Sequence, residues 1–162
     1  MLRFTTLFIL ISLFGMYDAQ AQSIRRSSVF LELAGSGGLA SLNYERAFAQ
    51  GTYTEYAWRA GFSLAPIDQN NGVGLVFPVM AVALIGPANH QLELGLGQGI
   101  TLTTRGSFFA LTTAAVGYRY QSPRSPWFFR ATYTPLISYL LDFQVQQWAG
   151  LSLGYTFNPQ AK

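Results

Sequence analysis

The sequence predicts an all-β fold: an eight-stranded, antiparallel, up-and-down transmembrane β-barrel with a filled polar lumen. Three observations carry this expectation. Beyond Ser28, nearly every segment alternates apolar with small or polar residues, the period-two spacing at which a strand presents two faces. Only 10% of the residues are charged, and lysine occurs only at Lys162, whereas a soluble protein has about 25% charged residues with which to cover its surface. The residues that alternate with the apolar ones are mostly Gly, Ser, Thr and Ala. Such side chains suit the inside of a narrow barrel better than a face turned to water.

The first 21 residues read as a cleaved export signal and residues 22–162 as the barrel. "MLRFTTLFILISLFGMYDAQAQ" has a basic start at Arg3, an apolar run from Phe4 to Gly15, and the small-x-small site Ala19-Gln20-Ala21, in the order that signal peptides use. The apolar run is shorter than the roughly 20 residues that a bilayer-spanning helix needs. No later segment is long and apolar enough for one either, which leaves strands as the means of crossing.

The strands follow in order. "VFLELAG" alternates Val29, Leu31 and Leu33 with Phe30 and Glu32, and "LASLNYER" sets Leu42 and Tyr44 against Ser41, Asn43 and Glu45. "AWRAGFSLA" sets Trp58, Phe62 and Leu64 against Arg59, Gly61 and Ser63. The fourth segment, "VFPVMAVAL", is apolar on both faces and contains Pro78, so its facing is open. "QLELGLGQGITLT" sets Leu92, Leu94 and Leu96 against Glu93, Gly95 and Gly97, and "TTAAVGYRY" sets Val116, Tyr118 and Tyr120 against Gly117 and Arg119. "FRATYT" pairs Phe129 and Tyr133 with Arg130 and Thr132, and "AGLSLGYTF" runs from Ala149 to Phe157. Turn chemistry separates them: "GSGG", "IDQNNG", "GPANH", "TRGS" and "QSPRSP". The longest late connection, "ISYLLDFQVQQ", precedes the eighth strand and is apolar enough to contact lipid or a partner. Connections this short favour antiparallel neighbours.

Alternation alone fits a soluble barrel or sandwich as well, with its apolar face inward. The scarcity of charge and the placement of aromatics favour a lipid-facing exterior. With both termini in the periplasm, Tyr44, Trp58, Tyr118, Tyr120, Phe129, Tyr155 and Phe157 fall near the periplasmic rim, and Phe77, Phe109 and Trp148 near the other. Tyr and Trp rings favour the headgroup level, where barrels carry aromatic girdles. The same topology puts Glu32, Glu45, Arg59, Glu93, Arg119 and Arg130 inside the lumen. Three acids and three arginines there must satisfy one another, because an unpaired charge out of water costs several kcal/mol. They are expected to form a structural ion network that closes the lumen, with Arg119 as the first candidate partner of Glu93.

At this point the chain resembles the small eight-stranded outer-membrane β-barrel proteins of Gram-negative bacteria, most like uncharacterised members from the Bacteroidota. The resemblance rests on "VFLELAGSGGLASLNYER", "HQLELGLG", "VGYRYQSP" followed by "WFFRATYTPL", and the final "WAGLSLGYTF". It implies residence among outer-membrane lipids after insertion by the outer-membrane assembly machinery. It also implies that Phe157, a strand-terminal aromatic, serves as an assembly signal, although Asn158 to Lys162 follow it. No catalytic residue is implied.

Other chemistry finds little support. His90 is the sole histidine and lies in a turn with Glu93 three residues on, but no serine adjoins either, as a hydrolytic site requires. Cysteine is absent, so thiolate metal sites are excluded, and one histidine makes a poor metal centre. The glycine-rich "GSGG" and "GLGQG" open no helix, as a phosphate loop must, and the lone aspartates of "IDQNN" and "LLDFQ" supply too few oxygens for calcium. The modest net charge of +3 with scattered arginines gives no nucleic-acid footprint. The expectation is therefore a non-enzymatic barrel without cofactor or metal, in a structural or surface-interaction role. A lipid-modifying outer-membrane enzyme and a soluble periplasmic barrel for a hydrophobic ligand stand as alternatives.

Overall fold

The structure, a computed structural model, describes residues 26–68, 72–87, 89–122, 124–138 and 143–157. The expected signal segment, Asn158–Lys162, and the tips of "IDQNN" and "LLDFQ" lie outside the described residues. The described chain is entirely β and turn. Its strands are β1 (Ser27–Leu33), β2 (Ala40–Gln50), β3 (Thr54–Asp68), β4 (Gly72–Ile85), β5 (His90–Thr103), β6 (Phe108–Gln121), β7 (Trp127–Tyr133), β8 (Leu136–Ser138), β9 (Gln144–Gln146) and β10 (Ala149–Phe157).

Each of β1 to β6 pairs antiparallel with the next. β10 joins β7 to β1 and closes the ring. β8 continues β7 along β6 after an interruption at Thr134-Pro135, and β9 leads into β10 after one at Gln147-Trp148. The ten segments thus form eight staves, as the sequence predicts. The late connection differs from expectation: much of "ISYLLDFQVQQ" is not loop but a short β8–β9 hairpin that prolongs the wall. Proline accounts for the break, since it cannot donate to the ladder.

The alternating faces resolve in one direction. Leu31, Leu33, Leu42, Phe62, Leu92, Leu94, Leu96, Leu151 and Leu153 are exposed on the outside, while Ser28, Glu32, Asn43, Arg59, Glu93, Thr113, Arg119 and Ser152 are buried within. A soluble barrel with an apolar interior would have the reverse arrangement. The fourth segment is now assigned: Val76, Met80, Val82 and Leu84 point inward and Phe77, Val79 and Ile85 outward. The lumen is therefore not uniformly polar. Met80, Val82, Leu84 and Ala115 form a small apolar cluster along one wall. At Pro78 the β3–β4 ladder has a gap between Ala60↔Val79 and Ser63↔Val76, with the register unchanged across it.

Two corrections concern aromatics. Phe109 and Trp148 do not join an outer girdle; both line a cavity of about 570 Å³ at the mouth of the lumen far from the chain termini. Strict period two places Phe109 on the face of Arg119, and Trp148 on that of Ser152. Near the termini the expected belt does form on the outside. Tyr44 packs on Trp58, Trp127 on Tyr155 and Tyr155 on Phe157, with ring centroids 5.1–5.4 Å apart.

The interior is filled by matching absent side chains to large ones. Gly154 lies directly between Phe30 on β1 and Phe128 on β7, whose rings meet edge to face at 5.8 Å. A methyl group on Gly154 would run into both side chains. Gly95 and Gly97 make room for Met80 on the neighbouring strand in the same way. Gly154→Ala is expected to destabilise the barrel by about 1–3 kcal/mol through overpacking, and Phe128→Leu in the same chain to recover part of the loss. Denaturant unfolding of the refolded protein in lipid vesicles measures both.

Candidate functional site

Six strands each contribute one ionisable side chain to the lumen: Glu32 from β1, Glu45 from β2, Arg59 from β3, Glu93 from β5, Arg119 from β6 and Arg130 from β7. All six are buried. Inward parity on each strand brings them to the interior, and register sets their height. Glu45 lies directly opposite Arg59 on β3. Arg119 lies opposite Arg130, a like-charge pairing that is unfavourable unless each finds its own partner.

Each does. Arg59 donates from Nη2 to Glu45 Oε2 at 2.5 Å and from Nη1 to Glu93 Oε1 at 2.8 Å. Arg119 Nη1 reaches the other oxygen of Glu45 at 2.6 Å. Arg130 Nη2 donates to Glu32 Oε1 at 2.9 Å, and its Nη1 lies 3.5 Å from Glu93 Oε2. The result is a chain of alternating sign: Arg119, Glu45, Arg59, Glu93, Arg130, Glu32. It sums to zero charge. The two facing arginines diverge, Arg119 toward Glu45 near the termini and Arg130 toward Glu32 near the opposite end. Glu93 thus meets Arg59 and Arg130, not Arg119 as the sequence suggested. Its direct neighbour on β6 is Gly117, and Arg119 is drawn across the lumen to Glu45.

Hydroxyl groups complete the ends. Ser36 and Ser41 donate to Glu32 Oε2, and Ser152 accepts from Arg130. Ser28 and Thr156 flank Arg119 Nη2 at 3.4 Å each. Aromatic faces complete the sides. The Arg119 guanidinium lies 3.7 Å from the Phe128 ring centroid, and those of Arg130 and Arg59 lie 4.2 and 5.1 Å from that of Phe30. Cation–π attraction of this kind strengthens where water is excluded. The Glu93–Arg130 contact is the loosest link, an ion pair without a hydrogen bond among the described residues.

Sequence reasoning missed several participants. Phe30 and Phe128 share the faces of Glu32 and Arg130, so parity alone could have named them as stacking platforms. A further ion pair, Arg26 to Glu55 at 3.6 Å, lies nearer the termini. His90, by contrast, sits on the outside against the rings of Tyr118 and Tyr120 and hydrogen-bonds the Tyr118 hydroxyl. Glu93 points into the lumen, so the two do not share a site. Among the described residues no cluster of side chains could hold a metal ion. Phe157 ends β10 on the outer face, opposite Ser27.

No protein-family model matches the sequence, and no curated protein matches it significantly. Solved structures do resemble it. The crystal structure of the N-terminal β-barrel domain of Pseudomonas aeruginosa OprF aligns with a TM-score of 0.60 at 14% identity, covering 85% of this chain and 100% of that one. The Yersinia pestis outer membrane protein Ail, in a phospholipid bilayer nanodisc, aligns with a TM-score of 0.56 at 17% identity, covering 82% and 99%. At these identities the likeness is one of fold.

Removing one member of a buried ion pair costs about 3–5 kcal/mol, because the partner stays buried and unpaired. Glu93→Leu is expected to fall in that range. The double variant Glu93→Leu/Arg59→Leu keeps two complete pairs, Arg119–Glu45 and Arg130–Glu32. It should be more stable than the sum of its single variants implies, with a coupling of about 0.5–3 kcal/mol. Equilibrium unfolding of the four proteins gives the cycle, and strict additivity would contradict the chain.

Proposed function

We propose that this chain is an integral outer-membrane β-barrel of a Gram-negative bacterium, non-enzymatic, with a structural or surface-interaction role and a lumen closed by its own ion chain. The observation that carries the reading is the inversion of the barrel: a continuous apolar exterior around a buried, charge-neutral ionic interior. A closed barrel satisfies its ladder hydrogen bonds within its wall at the level of the hydrocarbon, which hydrocarbon demands and an open sheet cannot offer. The aromatic belt around the termini supports a membrane interface at that level. The fold shared with an outer-membrane protein studied in a bilayer points the same way.

In this reading the first 21 residues direct export and are removed. Both termini lie in the periplasm, Phe157 contributes to recognition by the outer-membrane assembly machinery, and the mature protein is surrounded by outer-membrane lipid. The lumen offers no aqueous path, because Arg130 lies across it between Glu32 and Glu93 on opposite staves and Arg59 joins Glu93 to Glu45.

The protein should partition with outer membranes and migrate faster on gels before boiling than after. In planar bilayers the purified barrel should give no steps beyond brief flickers. Sustained conductance would overturn the closed lumen, and recovery in the soluble periplasmic fraction would overturn the membrane assignment.

A further inference from the structure

The barrel wall is uneven at the end far from the termini. β1 has 7 residues, fewer than the roughly 9–11 that a spanning strand uses, and the β1–β2 turn folds back at Gly35–Gly38. Both strands beside this hairpin run higher. Pairing of β3 with β2 stops at Ser63↔Ser41, yet β3 continues to Asp68, about 16 Å further at roughly 3.3 Å per residue. On the other side, β1 pairing with β10 stops at Leu33↔Leu151, while the chain of that stave extends up through β9. Among the described residues β9 pairs only with β8. The wall therefore has a notch, with the β1–β2 turn as its sill and the free edges of β3 and β9 as its sides.

The cavity of about 570 Å³ lies directly behind it. Gly37, Gly38 and Leu39 of the sill line it, as do Ala65 on one side and Gln144 and Gln146 on the other. Its inner wall is Val76, Gly99, Phe109, Leu111 and Leu136, with the hydroxyl residues Ser36, Thr101 and Ser138 between them and Trp148 beside the notch. Among the described residues no ionisable side chain lines it. The Thr113 hydroxyl, fully buried and without a hydrogen-bond partner, marks its floor. Outside, Leu39, Leu64, Val73 and Val145 are exposed around the notch, so the apolar exterior reaches its height. Free strand edges are not tolerated deep in hydrocarbon, which places the notch where hydrocarbon meets headgroups.

We propose that this cavity is a side-entry site for one hydrocarbon chain of an uncharged or zwitterionic amphiphile. The chain enters over the β1–β2 turn and lies against Val76, Phe109, Leu111 and Leu136. The polar head stays in the notch, where the free edges of β3 and β9 and the amides of Gln144 and Gln146 supply hydrogen bonds. The volume falls within the roughly 300–1,000 Å³ range of ligand pockets. A membrane lipid and a free fatty alcohol share this chemistry. The proposal rests on the barrel lying in a bilayer.

Trp148 is the built-in reporter. The full chain carrying Trp58→Phe and Trp127→Phe leaves it as the only tryptophan. In nanodiscs of phosphatidylcholine brominated at mid-chain, the lipid arm, or of plain phosphatidylcholine with brominated stearyl alcohol, the free-alcohol arm, Trp148 fluorescence is expected to be quenched. Gly99→Leu should abolish most of that quenching. A Cβ at Gly99, on the cavity wall, meets nothing closer than the Leu111 carbonyl at 3.9 Å, so a larger side chain can start from this position into the site. Ala65→Leu serves as the second filling variant, with gel heat-modifiability as the folding check on both. Which arm quenches identifies the source of the chain. Quenching unchanged by either filling variant, or quenching only by aqueous acrylamide, would overturn the proposal. A companion protein that keeps only Trp127, on the outer wall, separates the two readings: loss of its quenching by brominated lipid counts against the membrane assignment itself, whatever Trp148 does.

Discussion

An alternating chain of three arginines and three glutamates inside a narrow wall is the constraint on which the rest of the molecule depends. Six charges withdrawn from water are tolerable only as a neutral, fully contacted set. Neutrality alone does not secure that, because Arg119 and Arg130 face one another across β6 and β7. The arrangement works because Glu45 and Glu93 each bridge two arginines, so that no like charges are neighbours along the chain. Strand register delivers Glu45 to Arg59 directly, and the reach of the arginine side chain delivers the rest.

That constraint propagates outward through space-filling. Long arginines crossing the lumen need a floor to lie on, and Phe30 and Phe128 provide it. Those rings in turn need a position with no side chain between them, which is Gly154. On the far wall, Met80 occupies what Gly95 and Gly97 leave open. The interior thus divides into an ionic half and a smaller apolar cluster on β4. The exterior carries none of this specificity: its leucines need only be apolar, and the aromatic belt near the termini need only be amphipathic.

Much of this was legible in the sequence because period two is a strong signal when one face is Leu, Tyr and Trp and the other Gly, Ser and Thr. Parity placed all six charged residues on one face. What parity cannot supply is the partner across a lumen, and the expected Glu93–Arg119 contact failed for that reason. Sequence proximity of strands five and six favoured it, whereas the competing acid, Glu45, comes from a strand on the other side of the barrel. The "VFPVMAVAL" segment was illegible because both of its faces are apolar, and only its register with Gly95 and Gly97 gives it a facing. Phe109 and Trp148 were placed by their chemical type rather than by their parity, and parity was the better guide. The β8–β9 extension was hidden by Pro135, which looks like the end of a strand and is instead a break within a stave.

In the proposed membrane setting, β5 separates lipid from a dry ionic lumen at every second residue. The chain contains no cysteine, so single cysteines can be placed without background at Leu92, Leu94, Leu96 and Gly95 and carry a nitroxide in a bilayer. Spin labels at the three leucines should collide with oxygen, which concentrates in lipid, and be shielded from a water-soluble nickel chelate. At Gly95 the buried thiol should resist labelling. Nickel accessibility at the leucine positions, or free labelling at Gly95 in the folded barrel, would rule out this facing of β5.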